Sequence, residues 1–151
     1  MLNLVQELTQ LVQRLDEEGI DYALCGGLAL AVHSIVRATI DIDLLVHQDS
    51  LEDVKKVARS LGFAFEAQPM SLAKGAIRMH RLSKIEPALD QDALMLDLIL
   101  VTPAIERAWG SRRQLEWEHG SLWVVDREGL IQMKKLRGSG QDLDDIQKLS
   151  D

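Results

Sequence analysis

Cysteine is nearly absent from the sequence, which has Cys25 as its one cysteine in 151 residues. This excludes a disulfide within the chain and every zinc site that needs a pair of cysteines. A single cysteine is typical of proteins in a reducing compartment, so we expect a cytoplasmic protein. A chain of this length is expected to form a single domain over residues 1–151, with a core that needs no covalent or metal staples.

Long apolar runs, basic leaders and repeats are also missing. No run reaches the roughly 20 residues that a membrane-spanning helix needs, so we expect no association with a membrane. Glu7 lies inside the apolar pattern at the start of the chain, and no basic segment precedes it. That pattern predicts an amphipathic helix rather than a signal peptide. No low-complexity segment or linker divides the chain.

Basic residues are outnumbered, since 17 Lys and Arg face 24 Asp and Glu and the net charge is −7 with His neutral. Proteins that bind nucleic acid by bulk charge depend on Lys and Arg, which release counterions from the phosphates. The negative balance therefore argues against a nonspecific nucleic-acid binder, while it leaves a local basic site open.

Hydropathy patterns predict helices that alternate with strands. The predicted helices cover residues 2–18, 28–36, 50–62, 103–110 and 126–137, with a last short helix from 142; the predicted strands cover 22–25, 39–46, 63–68, 75–82 and 93–101, with a hairpin over 112–125. Ser50, Asp126 and Asp142 are the predicted N-caps of their helices. This order predicts an α+β (mixed α/β) fold class, in which a central mixed sheet is flanked by helices.

Two acidic residues share one face of the strand predicted over 39–46. Asp41 and Asp43 are two positions apart, and side chains two apart on a strand project from the same face. The apolar residues that alternate with them anchor the strand in the core. Oxygen ligands on such a rigid element suit Mg²⁺ or Mn²⁺ better than zinc or copper.

Asp97 lies in the middle of the most apolar run of the sequence, with apolar neighbours for three positions on either side. A carboxylate in such a place must be protonated, hydrogen-bonded or compensated by a positive charge. If its strand lies beside the strand of Asp41 and Asp43, three carboxylates converge and a shared divalent cation would compensate them. Without a cation the cluster would repel itself.

Gly26 and Gly27 fall where a predicted buried strand meets a helix. Glycine tolerates unusual φ angles and lets a ligand approach the backbone, and the first N–H groups of a helix are unpaired. The turn therefore suits a phosphate, although a tight turn without a ligand remains the alternative. The dinucleotide fingerprint G-x-G-x-x-G and the P-loop are both absent.

The glycine turn, the helix and the alternating acids form one pattern in the string CGGLALAVHSIVRATIDIDLLV. This pattern resembles the nucleotidyltransferases of the DNA polymerase β superfamily. It is closest to the small bacterial members, the minimal nucleotidyltransferases and the abortive-infection type toxins. The resemblance covers nearly the whole chain, because the later acidic strand and the segment GLIQMKKLRGSGQDLDDIQKL also match. It implies a nucleotidyltransferase-like fold.

The resemblance also implies roles for the site residues. Asp41 and Asp43 would hold two Mg²⁺ (or Mn²⁺) ions. Asp97 would join one of these metal ions and act as the candidate base. Gly26 and Gly27 would hold the triphosphate of an NTP.

Arg37 and Lys134 are two further candidates for nucleotide binding. Arg37 matches an arginine that is common before the acid pair in these sequences, and a surface role is equally open. Lys134 falls where the family carries a lysine, which would contact the nucleotide phosphates. Asp142 and Asp145 match an Asp-x-x-Asp pair of the family, or else cap and solvate a short helix. The role of Arg137 stays open.

The sequence thus predicts a Mg-dependent nucleotidyltransferase that moves a nucleoside monophosphate from an NTP to an acceptor hydroxyl. The acceptor stays open between RNA, a protein as in toxin–antitoxin pairs, and a small molecule such as an aminoglycoside. The short chain favours a partner chain or a homodimer that completes the site. The alternative is a catalytically silent module that binds a partner through the hairpin of Trp117 and Trp123.

Overall fold

The computed structural model describes residues 3–32, 41–86, 92–117, 119–138 and 140–150. The α-helices are α1 (Leu4–Glu17), α2 (Gly26–Val32), α3 (Leu51–Ser60), α4 (Glu106–Gly110), α5 (Arg127–Arg137) and α6 (Gly140–Ser150). The strands are β1 (Ala23–Cys25), β2 (Asp41–Val46), β3 (Phe65–Glu66), β4 (Met70–Leu72), β5 (Ile77–Glu86), β6 (Asp92–Leu100), β7 (Arg113–Trp117) and β8 (Gly120–Val124).

These strands form one sheet in the order β3-β5-β6-β2-β1-β8-β7, and β4 also pairs with β5. β2 is parallel to β6 and β1 is parallel to β8, whereas the other pairs are antiparallel. The sheet is therefore mixed, as predicted, and with its flanking helices it confirms the α+β fold class.

One face of the sheet carries the apolar core under α1, which packs against β2 and α3. The side chains that β2 and β6 bury on this face alternate along each strand: Ile42, Leu44, Val46, Leu94, Leu96, Leu98 and Leu100. Lys84 of β5 also points to this face, where its Nζ donates to Glu7 Oε1 of α1 at 2.9 Å. The predicted amphipathic helix is confirmed, because Leu8, Leu11 and Leu15 are buried along α1.

The opposite face of the sheet is covered in part by α5. Its contacts with the sheet surround a small cavity lined by Ile77, Met79, Ile99, Leu130 and Met133. The sheet residues among them are one position out of phase with the buried leucines, so they project from the other face. The three acids singled out in the sequence share this phase and lie on the α5 side.

Several predicted element bounds and caps differ in the structure. Asp126 caps α5 as predicted, since its side chain accepts from the Gly129 N–H at 2.8 Å. Ser50 makes no capping hydrogen bond, because a 3₁₀ turn over Gln48–Ser50 leads into α3. Asp142 lies buried inside α6, so its predicted N-cap role is wrong.

The β5 strand is longer than the predicted strand over 75–82, because its pairing with β6 continues to Glu86 opposite Asp92. β4 was not predicted, since Pro69 and Gly75 flank it and suggest a turn. Of the helix predicted over 28–36, α2 covers the first part and starts two residues earlier, at Gly26; residues 33–40 lie outside the described part of the chain. No helix in the described ranges has the length and apolar character to cross a membrane.

Candidate active site

Strand register brings Asp41, Asp43 and Asp97 together. β2 and β6 are adjacent and parallel, and Asp43 lies directly opposite Asp97, with Asp41 two residues earlier on the same face. One carboxylate oxygen from each residue lies within 4.8 Å of the others. Asp97 is 3% exposed, whereas Asp41 and Asp43 are half-buried along β2. The structure therefore groups the three acids that the sequence pattern singled out.

Gly26 borders the carboxylates from the neighbouring strand. β1 ends at Cys25, which lies opposite Asp43 in the register with β2. Gly26 has a φ of +68°, and a Cβ added there would lie 2.6 Å from Asp43 Cγ. Both the backbone conformation and the space thus require glycine. Gly27 follows inside α2 and is buried, so the Gly-Gly turn meets the acid cluster.

Crowding changes the ionisation of the cluster. Burial raises the pKa of Asp43 to about 7, and the charges of Asp97 and Asp41 act in the same direction. Arg137 acts in the opposite direction but does not offset them. Because each carboxylate disfavours a charge on its neighbours, the cluster does not carry its full negative charge at neutral pH unless a cation is added.

Arg81 is a site residue that sequence reasoning missed. It lies on β5 directly opposite Asp97 in the antiparallel register. Its Nε donates to Asp97 Oδ1 at 2.7 Å and its Nη2 to Oδ2 at 2.9 Å, a bidentate, charge-assisted pair. The apolar surroundings of Asp97 did call for a positive charge. The choice of Arg81 over Arg78 depends on register, which no local pattern contains.

The donor set fits a hard divalent cation. It consists of carboxylates alone, which suit Mg²⁺ or Mn²⁺, and their mutual repulsion is what a cation would relieve. Cys25 is fully buried beside the cluster, where burial first and the charge of Asp43 second raise the pKa of its thiol well above the usual value. The thiol therefore stays protonated and is neither a ligand nor a nucleophile.

The cavity between the sheet and α5 is narrow. Its volume is about 30 Å³, and Asp43, Lys134 and Arg137 are among its polar lining residues. That volume accommodates one or two water molecules. A nucleoside therefore has no room in it as the side chains stand.

Lys134 is held inside the protein. It is 5% exposed, and its Nζ lies 3.0 Å from Asp145 Oδ2 and 3.7 Å from Asp142 Oδ1 of α6. Arg137 is about half exposed at its side chain, with Nε 3.7 Å from Asp142 Oδ2. These contacts form one ion-pair network that links α5 to α6 through Lys134, Arg137, Asp142 and Asp145.

Arg37 lies outside the described residues, so its predicted contact with the nucleotide or the acids is not described. The hairpin of β7 and β8 forms as predicted, and Trp117 and Trp123 are both partly buried against the core. The Arg112 guanidinium lies 4.0 Å from the ring centroid of Trp109 and 5.3 Å from that of Trp123. These cation–π contacts hold the rings of Trp109 and Trp123 beside Arg112.

Solved structures of other proteins share this fold. TM1012 of Thermotoga maritima, which carries the name of a nucleotidyltransferase, has 14% sequence identity and a TM-score of 0.65, over 95% of this chain and 90% of that chain. ANT(2″)-Ia in complex with adenylyl-2″-tobramycin has 14% identity and a TM-score of 0.64, over 96% of this chain and 86% of that chain. An antigenic nucleotidyltransferase-like protein from Paracoccidioides brasiliensis has 19% identity and a TM-score of 0.57, over 95% of this chain and 74% of that chain.

The chain therefore has the nucleotidyltransferase fold that its sequence pattern implied. No protein-family profile and no curated protein sequence matches it. The likeness accordingly lies in the three-dimensional structure and extends over both sheet and helices.

Proposed function

We propose that the protein is a nucleotidyltransferase that moves a nucleoside monophosphate from an NTP to an acceptor hydroxyl. The observation that carries this proposal is the convergence of Asp41, Asp43 and Asp97 on adjacent strands. Gly26 lies next to them, at a position where any side chain would collide with Asp43. The shared fold with nucleotidyltransferases supports it.

In this proposal Asp41 and Asp43 bind two divalent cations, Mg²⁺ or Mn²⁺, and Asp97 shares one of them. Bound cations of this kind neutralise the phosphates and stabilise the entering and leaving oxygens of an in-line displacement. The rigid pairing of β2 with β6 holds the three carboxylates in place, so little reorganisation is needed during the reaction.

The bond changes are those of nucleotidyl transfer. The oxygen of the acceptor hydroxyl forms a bond to the α-phosphorus, and the bond from that phosphorus to the β-phosphate oxygen breaks, so that pyrophosphate leaves. Asp97 is the candidate base that accepts the hydroxyl proton.

Three parts of the chain are proposed to bind the nucleotide. The turn of Gly26 and Gly27, which lies against Asp43, is proposed to hold the triphosphate. Arg37 and Lys134 remain the proposed phosphate contacts. Lys134 would reach a phosphate only by loosening its pair with Asp145.

The acceptor is proposed to be a hydroxyl of an RNA, a protein or a small molecule. The structure of ANT(2″)-Ia contains an adenylylated aminoglycoside, which supports a small acceptor as one class to test. We further propose a cytoplasmic protein whose site is completed by a second copy or by a partner chain, such as a toxin–antitoxin partner.

Calorimetric titration of the protein with each NTP, with Mg²⁺ and with EDTA, tests the proposal before the acceptor is known. We expect binding that depends on Mg²⁺ in the wild type and is lost in the Asp41→Asn plus Asp43→Asn variant. The matched control is Asp49→Asn plus Asp53→Asn, which removes the same charge from exposed positions and should bind as the wild type does.

Transfer is then measured with α-labelled NTP and a panel of RNA, protein and aminoglycoside acceptors. Label should appear on one acceptor class with the wild type and the control variant, and not with the double variant. A wild-type protein that binds no NTP in the presence of Mg²⁺ contradicts the proposed function.

A further inference from the structure

Arg81 supplies a positive charge directly to Asp97. Both Asp97 oxygens accept from the one guanidinium, at 2.7 and 2.9 Å. A guanidinium remains protonated throughout the working range of pH, so this positive charge is permanent.

Asp97 needs this charge more than the other two acids do. Its side chain is 4% exposed, whereas that of Arg81 is 31% exposed. An uncompensated carboxylate at such a position is costly, while a guanidinium that reaches solvent remains stable when its partner is taken away. The pair is therefore asymmetric, since Asp97 depends on a nearby cation and Arg81 does not.

We propose that Arg81 is a built-in counter-ion of the acid cluster, which competes with a divalent cation for Asp97 and so sets the affinity of the site for that cation. The inference rests on the proposed function of the same site. A guanidinium and a dication that neutralise one carboxylate repel each other, and Arg81 already engages both oxygens that a cation would use. Cation binding therefore loosens the contact between Arg81 and Asp97.

Calorimetric titration of the purified protein with Mn²⁺ alone, at pH 8, measures this competition. Arg81→Met keeps an unbranched stem but removes the guanidinium and its charge, and we expect roughly tenfold tighter binding of Mn²⁺. Arg81→Lys retains the charge and loses the bidentate geometry, so its affinity for Mn²⁺ should lie between those of the wild type and Arg81→Met. The control is Arg78→Met, which removes an exposed arginine of the same strand from the opposite face and should leave the affinity unchanged.

Nuclear magnetic resonance on the wild type gives a second measurement that needs no variant. The Nε–H signal of Arg81 should shift when diamagnetic Mg²⁺ is added, while that of Arg78 stays in place. An unchanged Arg81 signal at saturating Mg²⁺ overturns the competition, and so does an Arg81→Met variant that binds Mn²⁺ as weakly as the wild type or more weakly.

The result separates this inference from the proposal on which it rests. If the wild type binds Mn²⁺ and loses it in Asp41→Asn plus Asp43→Asn, the cation site stands whatever Arg81 does. If the wild type binds no Mn²⁺, the cation site and the role of Arg81 are both overturned.

Discussion

Gly26 and Gly19 have nearly the same backbone conformation, with φ of +68° and +67°, but different surroundings. A Cβ at Gly19 would meet nothing within 4 Å, whereas one at Gly26 would collide with Asp43. We predict that Gly26→Ala lowers the free energy of unfolding by about 1–3 kcal/mol more than Gly19→Ala, because the collision adds an overpacking cost to the same backbone cost.

The comparison also separates the site from the fold. Gly26→Ala should weaken Mn²⁺ binding, since Asp43 must move to make room, and Gly19→Ala should not. Chemical denaturation and a Mn²⁺ titration measure the two effects. If the two variants lose the same stability and both keep their affinity for Mn²⁺, the collision is relieved without displacing Asp43.

The raised pKa of Asp43 predicts how stability depends on pH. Its pKa is about 7 in the folded protein and near the ordinary value of 3.8 when unfolded. Between these values the folded state holds a proton that the unfolded state has lost, so this group makes the free energy of unfolding fall as pH rises through that window and level off above pH 7. Denaturation in EDTA at several pH values should show this contribution, and Asp43→Asn should lack it.

Single residues differ in how far the sequence revealed them. Asp41, Asp43 and Asp97 stand out because a carboxylate amid apolar neighbours is a local anomaly. Arg81 does not stand out, since arginine on a strand is unremarkable until the register places it opposite Asp97. Residues that act through long-range pairing thus escape local patterns.

At the scale of elements, Lys134 ties α5 to α6 through Asp145, which is completely buried. We predict that Lys134→Met lowers the free energy of unfolding by about 3–5 kcal/mol, because it removes the buried ammonium that pairs with the carboxylate of Asp145. Lys135→Met, which alters an exposed neighbour, should change stability by no more than about 0.5 kcal/mol. Denaturant unfolding measures both.

A different result would support the contact with the nucleotide phosphates that the sequence predicted for Lys134. If Lys134→Met remains stable but loses affinity for the NTP, the lysine serves the nucleotide rather than the packing of the helices. Loss of stability with normal affinity in the folded fraction would assign it to the junction of α5 and α6.

The elements themselves were predicted where periodicity is strong, as in α1, β2 and β6. They were missed or shortened where the structure depends on pairing. β4 forms because Met70–Leu72 pairs with β5, although Pro69 suggests a turn. α6 begins at Gly140, so Asp142 lies in its first turn, where its carboxylate is 3.7 Å from Lys134 Nζ. Tertiary partners thus override local signals.

For the whole molecule, the acid cluster lowers stability at the place where the proposed function needs a cation site. The three carboxylates repel one another on rigid strands, and Arg81 donates its two hydrogen bonds to Asp97. We predict that Asp41→Asn plus Asp43→Asn raises the melting temperature in EDTA at pH 8, by roughly 2–4 °C for each kcal/mol of repulsion relieved. The same variant should gain nothing from MgCl₂, whereas the wild type should gain stability from it.

Thermal unfolding of the wild type and of the double variant, each in EDTA and in MgCl₂, measures these effects. Asp49→Asn plus Asp53→Asn serves again as the control, because it changes the net charge equally at exposed positions and should follow the wild type in both solutions. A double variant that is less stable than the wild type in EDTA would mean that the acids hold the fold together through contacts that outweigh their repulsion. The stored repulsion, and with it the physical reason for a cation at this site, would then be excluded.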